Sequence, residues 1–162
     1  MADFDVSVTM TGLDSVLAKI QAVKYDVAKK GGRFALRKAA QVMVKSAQQS
    51  AKRIDDPETA ADISKNIVER WNGRLNKTTG DLGFRVGVRG GAGGNKTSSQ
   101  LDGLPGKDTR HWRYVEFGTE KTAAQPFLVP SFKANLQTAT NTFIVEYGKA
   151  LSRAISKGSR TP

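Results

Sequence analysis

The chain reads as an α+β protein in which a small antiparallel sheet packs against long amphipathic helices, with a helix at its end. Three observations carry this. Phe4 to Met10 and Leu82 to Val88 alternate apolar and polar residues with the period of half-buried strands. Leu36, Ala40, Met43, Ala47 and Ile54 form one helical stripe. Phe132, Leu136, Ala139, Phe143, Tyr147, Ala150 and Ala154 recur at steps of three and four and form another. With 162 residues, 38% of them hydrophobic, the chain is expected to build one domain over residues 1–157, followed by a flexible tail at 158–162.

Each element has a local reason. In the N-terminal strand Phe4, Val6, Val8 and Met10 share one side, and Asp5, Ser7 and Thr9 the other. Thr11-Gly12-Leu13-Asp14 then resembles a capping box, whose hydroxyl and carboxylate satisfy amides that the first helical turn leaves unpaired. Leu13, Leu17, Ile20, Val23 and Val27 give the first helix its apolar face. Lys30-Gly31-Gly32 is expected to break it, because paired glycines raise the entropy cost of helical backbone. A second helix is predicted over 33–54, with alanines in its stripe for close packing and Lys38, Lys45 and Lys52, seven apart, on the opposite side.

Asp56-Pro57-Glu58 has the cap, first-turn proline and acidic residue of another helix start. Residues 67–76 fit either a helix or a strand, and a strand from about Ile67 is preferred. With the turn-like Lys77 to Asp81 and the alternating Leu82, Phe84, Val86 and Val88, it predicts a hairpin. Residues 90–110, rich in Gly, Ser, Asn and Lys with only Leu101 and Leu104 as large apolar residues, are expected to form a long mobile loop. A third strand is predicted at Trp112 to Phe117, with Val115 and Phe117 facing the core.

Charge and composition narrow the function. There are 26 Lys plus Arg against 15 Asp plus Glu, a formal charge of +11 that favours phosphate or acidic protein surfaces as partners. Between Lys19 and Arg53 the only acidic residue is Asp26. The Lys38, Lys45 and Lys52 face is thus a solvated helix surface or a basic face for duplex phosphates. There is no cysteine, hence no disulfide framework or thiolate metal site, in keeping with a reducing compartment. No apolar stretch approaches the roughly 20 residues that cross a bilayer, so a soluble, unsecreted protein without membrane contact is expected.

Catalytic patterns fail on inspection. His111 is the only histidine, so neither a triad nor a histidine metal cluster can be assembled within one subunit, and it reads as a polar strand-edge residue. Glu116 and Glu120, on a strand and the turn after it, have no reason to share a face. Gly90 to Thr97 resembles a phosphate-cradling loop, but Asn95 separates the last glycine from Lys96, and the Thr97 to Pro105 stretch is not expected to form the helix such a loop needs. Trp112, Arg113 and Tyr114 interleave aromatics with a cation, the pattern of either base stacking or ordinary packing. An enzyme is not expected, and no cofactor or metal is implied.

The most specific stretch is Trp112 to Phe132, where an aromatic-rich segment ends in Glu116-Phe117-Gly118-Thr119 and a short loop leads to Pro126-Phe127-Leu128-Val129-Pro130. It resembles the tail-component family of HK-type lambdoid long-tailed phages, the minor-tail-protein-Z-like proteins of tail completion and head-to-tail joining. Gly12-Leu13-Asp14, Arg37-Lys38-Ala39-Ala40 and Gly87-Val88 fall in the same order. Two departures stand out. The family's Gly-x-Leu-x-x-Ser-Ile signature is degraded to Ala61 through Ile67, and Val129 replaces a commonly basic residue.

The resemblance implies a structural virion protein of the phage neck, assembled in the host cytoplasm as an oligomeric ring, by family pattern a hexamer. Its implied partners are other copies of itself, neighbouring neck and tail proteins and, non-specifically, packaged DNA. Trp112, Arg113, Tyr114, Glu116, Gly118 and Thr119 are the candidate partner interface. The 90–110 loop is a further candidate contact, and truncating residues 91–107 is expected to impair joining while sparing the fold. The alternative is a basic DNA-binding module using Lys38, Lys45 and Lys52.

Overall fold

The computed structural model describes residues 21, 25–54, 61–90 and 97–158. The expected strand at Phe4 to Met10, most of the first helix, Asp56-Pro57-Glu58, residues 91–96 and the last four residues lie outside that set.

A π-helical turn, Asp26–Gly31, runs straight into helix α1, Gly32–Lys52. The break expected at Lys30-Gly31-Gly32 is therefore absent, and both glycines hold right-handed helical geometry. The reason lies in packing. A Cβ on Gly32 would stand 2.8 Å from Leu82 Cδ1, so this glycine lets another segment approach the helix and does not end it. On α1, Ala35, Ala39, Met43, Val44, Ala47 and Ala51 are buried, while Leu36 and Ala40 of the expected stripe, and Ile54 just past the helix end, are only partly so. The buried face is broader than one stripe because the sheet and the last helix both rest on α1.

After α2 (Ile63–Asn66), strand β1 (Ile67–Trp71) pairs antiparallel with β2 (Phe84–Val88), Ile67 opposite Val88 and Trp71 opposite Phe84. The predicted strand and hairpin are present. Their connection is longer than a turn: helix α3, Gly73–Thr79, is capped by Asn72 Oδ1, which accepts from Leu75 N at 3.3 Å, and closes on left-handed Gly80. Ile67, Glu69 and Trp71 face α1 with Phe84, Val86 and Val88. By alternation Arg70, Arg85 and Arg89 share the other face, and all three are exposed.

The expected mobile loop is corrected wherever it is described. Thr97 leads into α4, Ser98–Asp102, with its amide donating to Gln100 Oε1 at 3.4 Å, and Leu101 is wholly buried. Asn66, also wholly buried, holds the segment after α4. Its Oδ1 accepts from Gly106 N at 3.0 Å, and its Nδ2 donates to Lys107 O at 2.9 Å and Thr109 Oγ1 at 2.8 Å. One buried leucine and one side-chain amide thus order a stretch too polar to order itself.

The third strand is also corrected, because Trp112–Phe117 forms a helix, α5. Trp112, Val115 and Glu116 turn inward while Arg113, Tyr114 and Phe117 turn outward, the spacing of a helix face and not of a strand. Phe117, expected in the core, is exposed.

The last helix, α6, spans Leu128–Gly158 and is about 46 Å long. It runs antiparallel to α1. Ser131 Oγ meets Ser50 Oγ at 3.1 Å, Asn135 Nδ2 donates to Ser46 Oγ at 2.8 Å, and Tyr147 lies near Gly32. One core cluster gathers Val44, Ala47, Ala51, Ile63, Ile67 and Phe127, and a smaller one Ala39, Met43 and Ala139.

Candidate functional site

The Trp112 to Phe132 segment, singled out by its sequence, is a self-bracing unit. Glu116 is buried beneath the start of α6, where Oε2 accepts from Phe127 N at 2.8 Å and Leu128 N at 2.9 Å and Oε1 from Val129 N at 2.9 Å. A carboxylate at a helix N-terminus satisfies amides that lack intrahelical partners and meets the positive end of the dipole. Gly118, at φ 75° and ψ −179°, occupies a region essentially reserved for glycine, and a Cβ there would lie 2.9 Å from Ala124 N. Thr119 Oγ1 accepts from Thr122 N at 3.1 Å, and Gln125 N donates to Val115 O at 2.8 Å. The chain thereby doubles back from α5 into α6.

The six candidate interface residues divide accordingly. Glu116 is buried, Trp112 and Gly118 are half-buried, and Arg113, Tyr114 and Thr119 are exposed. Tyr114 is 64% exposed and its neighbour Phe117 is 69% exposed. A small cleft of about 190 Å³ opens beside them, lined by Ile54, His111, Tyr114, Val115 and Thr119 among others. The Arg113 guanidinium lies 5.7 Å from the Trp112 ring. The Trp112 Nε1 is buried without a hydrogen-bond partner among the described residues. His111 is an exposed residue preceding α5, not a strand-edge residue.

Lys38, Lys45 and Lys52 are all exposed on α1, with the Lys38 ammonium 5.6 Å from the Phe34 ring. A second cationic region was not read from the sequence. Lys30, Arg33, Phe34, Arg37, Glu69, Trp71 and Phe84 line a hollow of about 520 Å³, with the Arg33 guanidinium 4.2 Å from the Trp71 ring centre. Arg37 Nε and Gln41 Nε2 donate to Glu69 Oε1 at 3.0 and 3.2 Å. Burial pushes the Glu69 carboxyl upward, but hydrogen bonds from its own backbone amide, Arg37 and Gln41, with the Arg37 charge, outweigh it and hold it below the ordinary carboxylate value. These residues come from the π-helical turn, α1 and both strands, and only the tertiary fold assembles them.

The sequence also missed an apolar groove of about 300 Å³ between α1, α6 and the rim of β2, lined by Leu36, Met43, Phe84, Val86, Leu136 and Phe143 among others. Further along α6, Ile144, Val145, Leu151 and Ile155 are exposed. Among the described residues no three His, Cys, Asp or Glu side chains converge to hold a metal ion, and no helix is long and apolar enough to cross a membrane. The segment offers exposed apolar side chains and cations, braced by an internal carboxylate.

In comparison with known families, the family model described as "Bacteriophage HK97-gp10, putative tail-component" matches residues 14–118. No curated protein and no solved structure matches the chain.

Proposed function

Since the chain belongs to the bacteriophage HK97-gp10 tail-component family and is a structural component of a phage tail, we propose that it acts at the neck, completing the tail or joining it to the head as one subunit of a ring, taken as a hexamer. One observation carries this reading. Tyr114, Phe117, Leu136, Ile144, Val145, Leu151 and Ile155 leave large apolar side chains exposed on a small subunit, and such surface is commonly buried against partners. A subunit with two different adhesive patches closes into a ring when the rotation between copies closes. Arg113, Tyr114 and Thr119 present the interface at α5, while Trp112, Glu116 and Gly118 hold its shape. Neighbouring neck and tail proteins are the other partners.

The test is deletion of this reading frame in its phage or prophage, followed by electron microscopy of the lysate. Filled heads beside separate or misassembled tails, rescued by supplying the protein, are expected. Normal infectious virions would overturn the reading.

A second reading rests on the exposed Lys38, Lys45 and Lys52 row, a phosphate-binding face that would touch packaged DNA without sequence preference. It requires retention on duplex DNA that falls steeply with salt and is lost when the three lysines become glutamate. Weak binding unaffected by those substitutions would exclude it.

A further inference from the structure

Strand β2 has one edge paired with β1 and one unpaired among the described residues. Asn72 N donates to Gly83 O at 2.9 Å and Arg89 N to Asn66 O at 2.8 Å, which fixes residues 83, 85, 87 and 89 as those bonding toward β1. Phe84, Val86 and Val88 therefore aim their amides and carbonyls at the outer edge. Beside that edge lies the apolar groove between α1 and α6, into which Phe84 and Val86 project. On the opposite face of the sheet Arg70 stands directly across from Arg85, with Arg89 further along β2. None of the three guanidiniums has an ion-pair or hydrogen-bond partner among the described residues. Like charges opposed across strands repel, and among the described residues no ion pair offsets them.

An added strand that fits this edge needs apolar residues at alternate positions for the groove and acidic ones between them for the arginines. Residues 3–10 of this chain have that pattern: Phe4, Val6, Val8 and Met10 on one side, Asp3, Asp5, Ser7 and Thr9 on the other. We propose that this N-terminal segment adds as a third strand to the free edge of β2 in the next copy of the chain, seating its apolar side in the groove and its aspartates over Arg70, Arg85 and Arg89.

A neighbouring copy is taken as the recipient because donation between copies supplies the contact that the ring reading requires. Donation of a strand to the next copy is a heterologous contact, since donor and acceptor surfaces differ, and it repeats until a ring closes. This inference rests on the ring reading above and names the contact that would build it.

The experiment compares the mass in solution of the full chain, a chain lacking residues 2–10, and Val86→Pro, which removes an outward amide from the edge without touching a bond to β1. The full chain is expected to assemble, and each altered chain to remain monomeric. Mixed together, the two altered chains should form a heterodimer and nothing larger, because one keeps only the strand and the other only the edge. As a second route that leaves both strands intact, Asp5→Arg and Arg85→Asp should each weaken association at least tenfold, and the two together should restore it. Assembly that survives loss of residues 2–10 would keep the ring and overturn strand donation. A full chain that stays monomeric at all concentrations would overturn both. Absence of the heterodimer together with failure of the charge exchange would also overturn the proposal.

Discussion

The carboxylate of Glu116 accepts the backbone amide of Phe127 at 2.8 Å, and through it the helix α5 is fastened to the first turn of α6. Two further amides, those of Leu128 and Val129, complete the cap. This relationship explains why an acidic residue sits in a largely apolar and aromatic stretch and why Gly118 follows so closely. The cap needs the chain to reverse within a few residues.

Replacing Glu116 by Ala leaves three amides without their acceptor, at least one of them buried, and is expected to cost about 3 kcal/mol. For a chain of this size that lowers the thermal midpoint by roughly 10 °C. Glu116→Gln, which keeps an acceptor oxygen but not the charge, should recover part of the loss. A thermal melt within a degree or two of the parent for Glu116→Ala would show that the cap carries little of the stability.

Removing residues 91–107 is expected to damage the fold, contrary to the reading of this stretch as a dispensable loop. The deletion takes away the buried Leu101 and leaves Asn66 without Gly106 and Lys107, a combined cost of about 3–5 kcal/mol. A deletion confined to 91–96 spares those contacts. Chemical denaturation of the two shortened chains checks this, and equal stability would contradict it.

Arg70 and Arg85 face each other across the two strands. Arg85→Glu converts the repulsion into attraction and should stabilise the isolated subunit by about 0.2–1 kcal/mol. If the arginines meet an acidic strand in the assembled state, the same substitution weakens association. A stability gain accompanied by weaker assembly would mark the pair as reserved for a partner.

Glu69 has a pKa below its ordinary value when folded, so its contribution is present above the unfolded pKa, near 4.5, and is lost as the pH falls through the lowered folded value. Arg37 is well exposed, which limits the pair to about 0.5–1 kcal/mol. Denaturant titrations of the parent and Arg37→Met at neutral pH and at pH 3 should differ by less at the lower pH. A difference unchanged by pH would assign the effect to packing of the arginine stem on its neighbours.

The sequence by itself determined the elements whose signal is local and repeated. Met43, Ala47 and Ala139 lie on helical stripes that are legible without any partner, and Val86 and Val88 alternate through β2 in the same way. The family resemblance was likewise legible in Glu116-Phe117-Gly118-Thr119. Tertiary structure alone decided the rest. Trp112 to Phe117 is short enough to satisfy strand and helix patterns alike, and the bonds of Glu116 to amides eleven to thirteen residues away accompany the helix. Gly32 has the composition of a break, yet Leu82 crossing close above it makes it a packing site. The order of 97–110 depends on Asn66, some forty residues earlier, and the hollow at Trp71 on helix and strands meeting. Such contacts form between residues far apart in the chain, and local propensity contains no information about them.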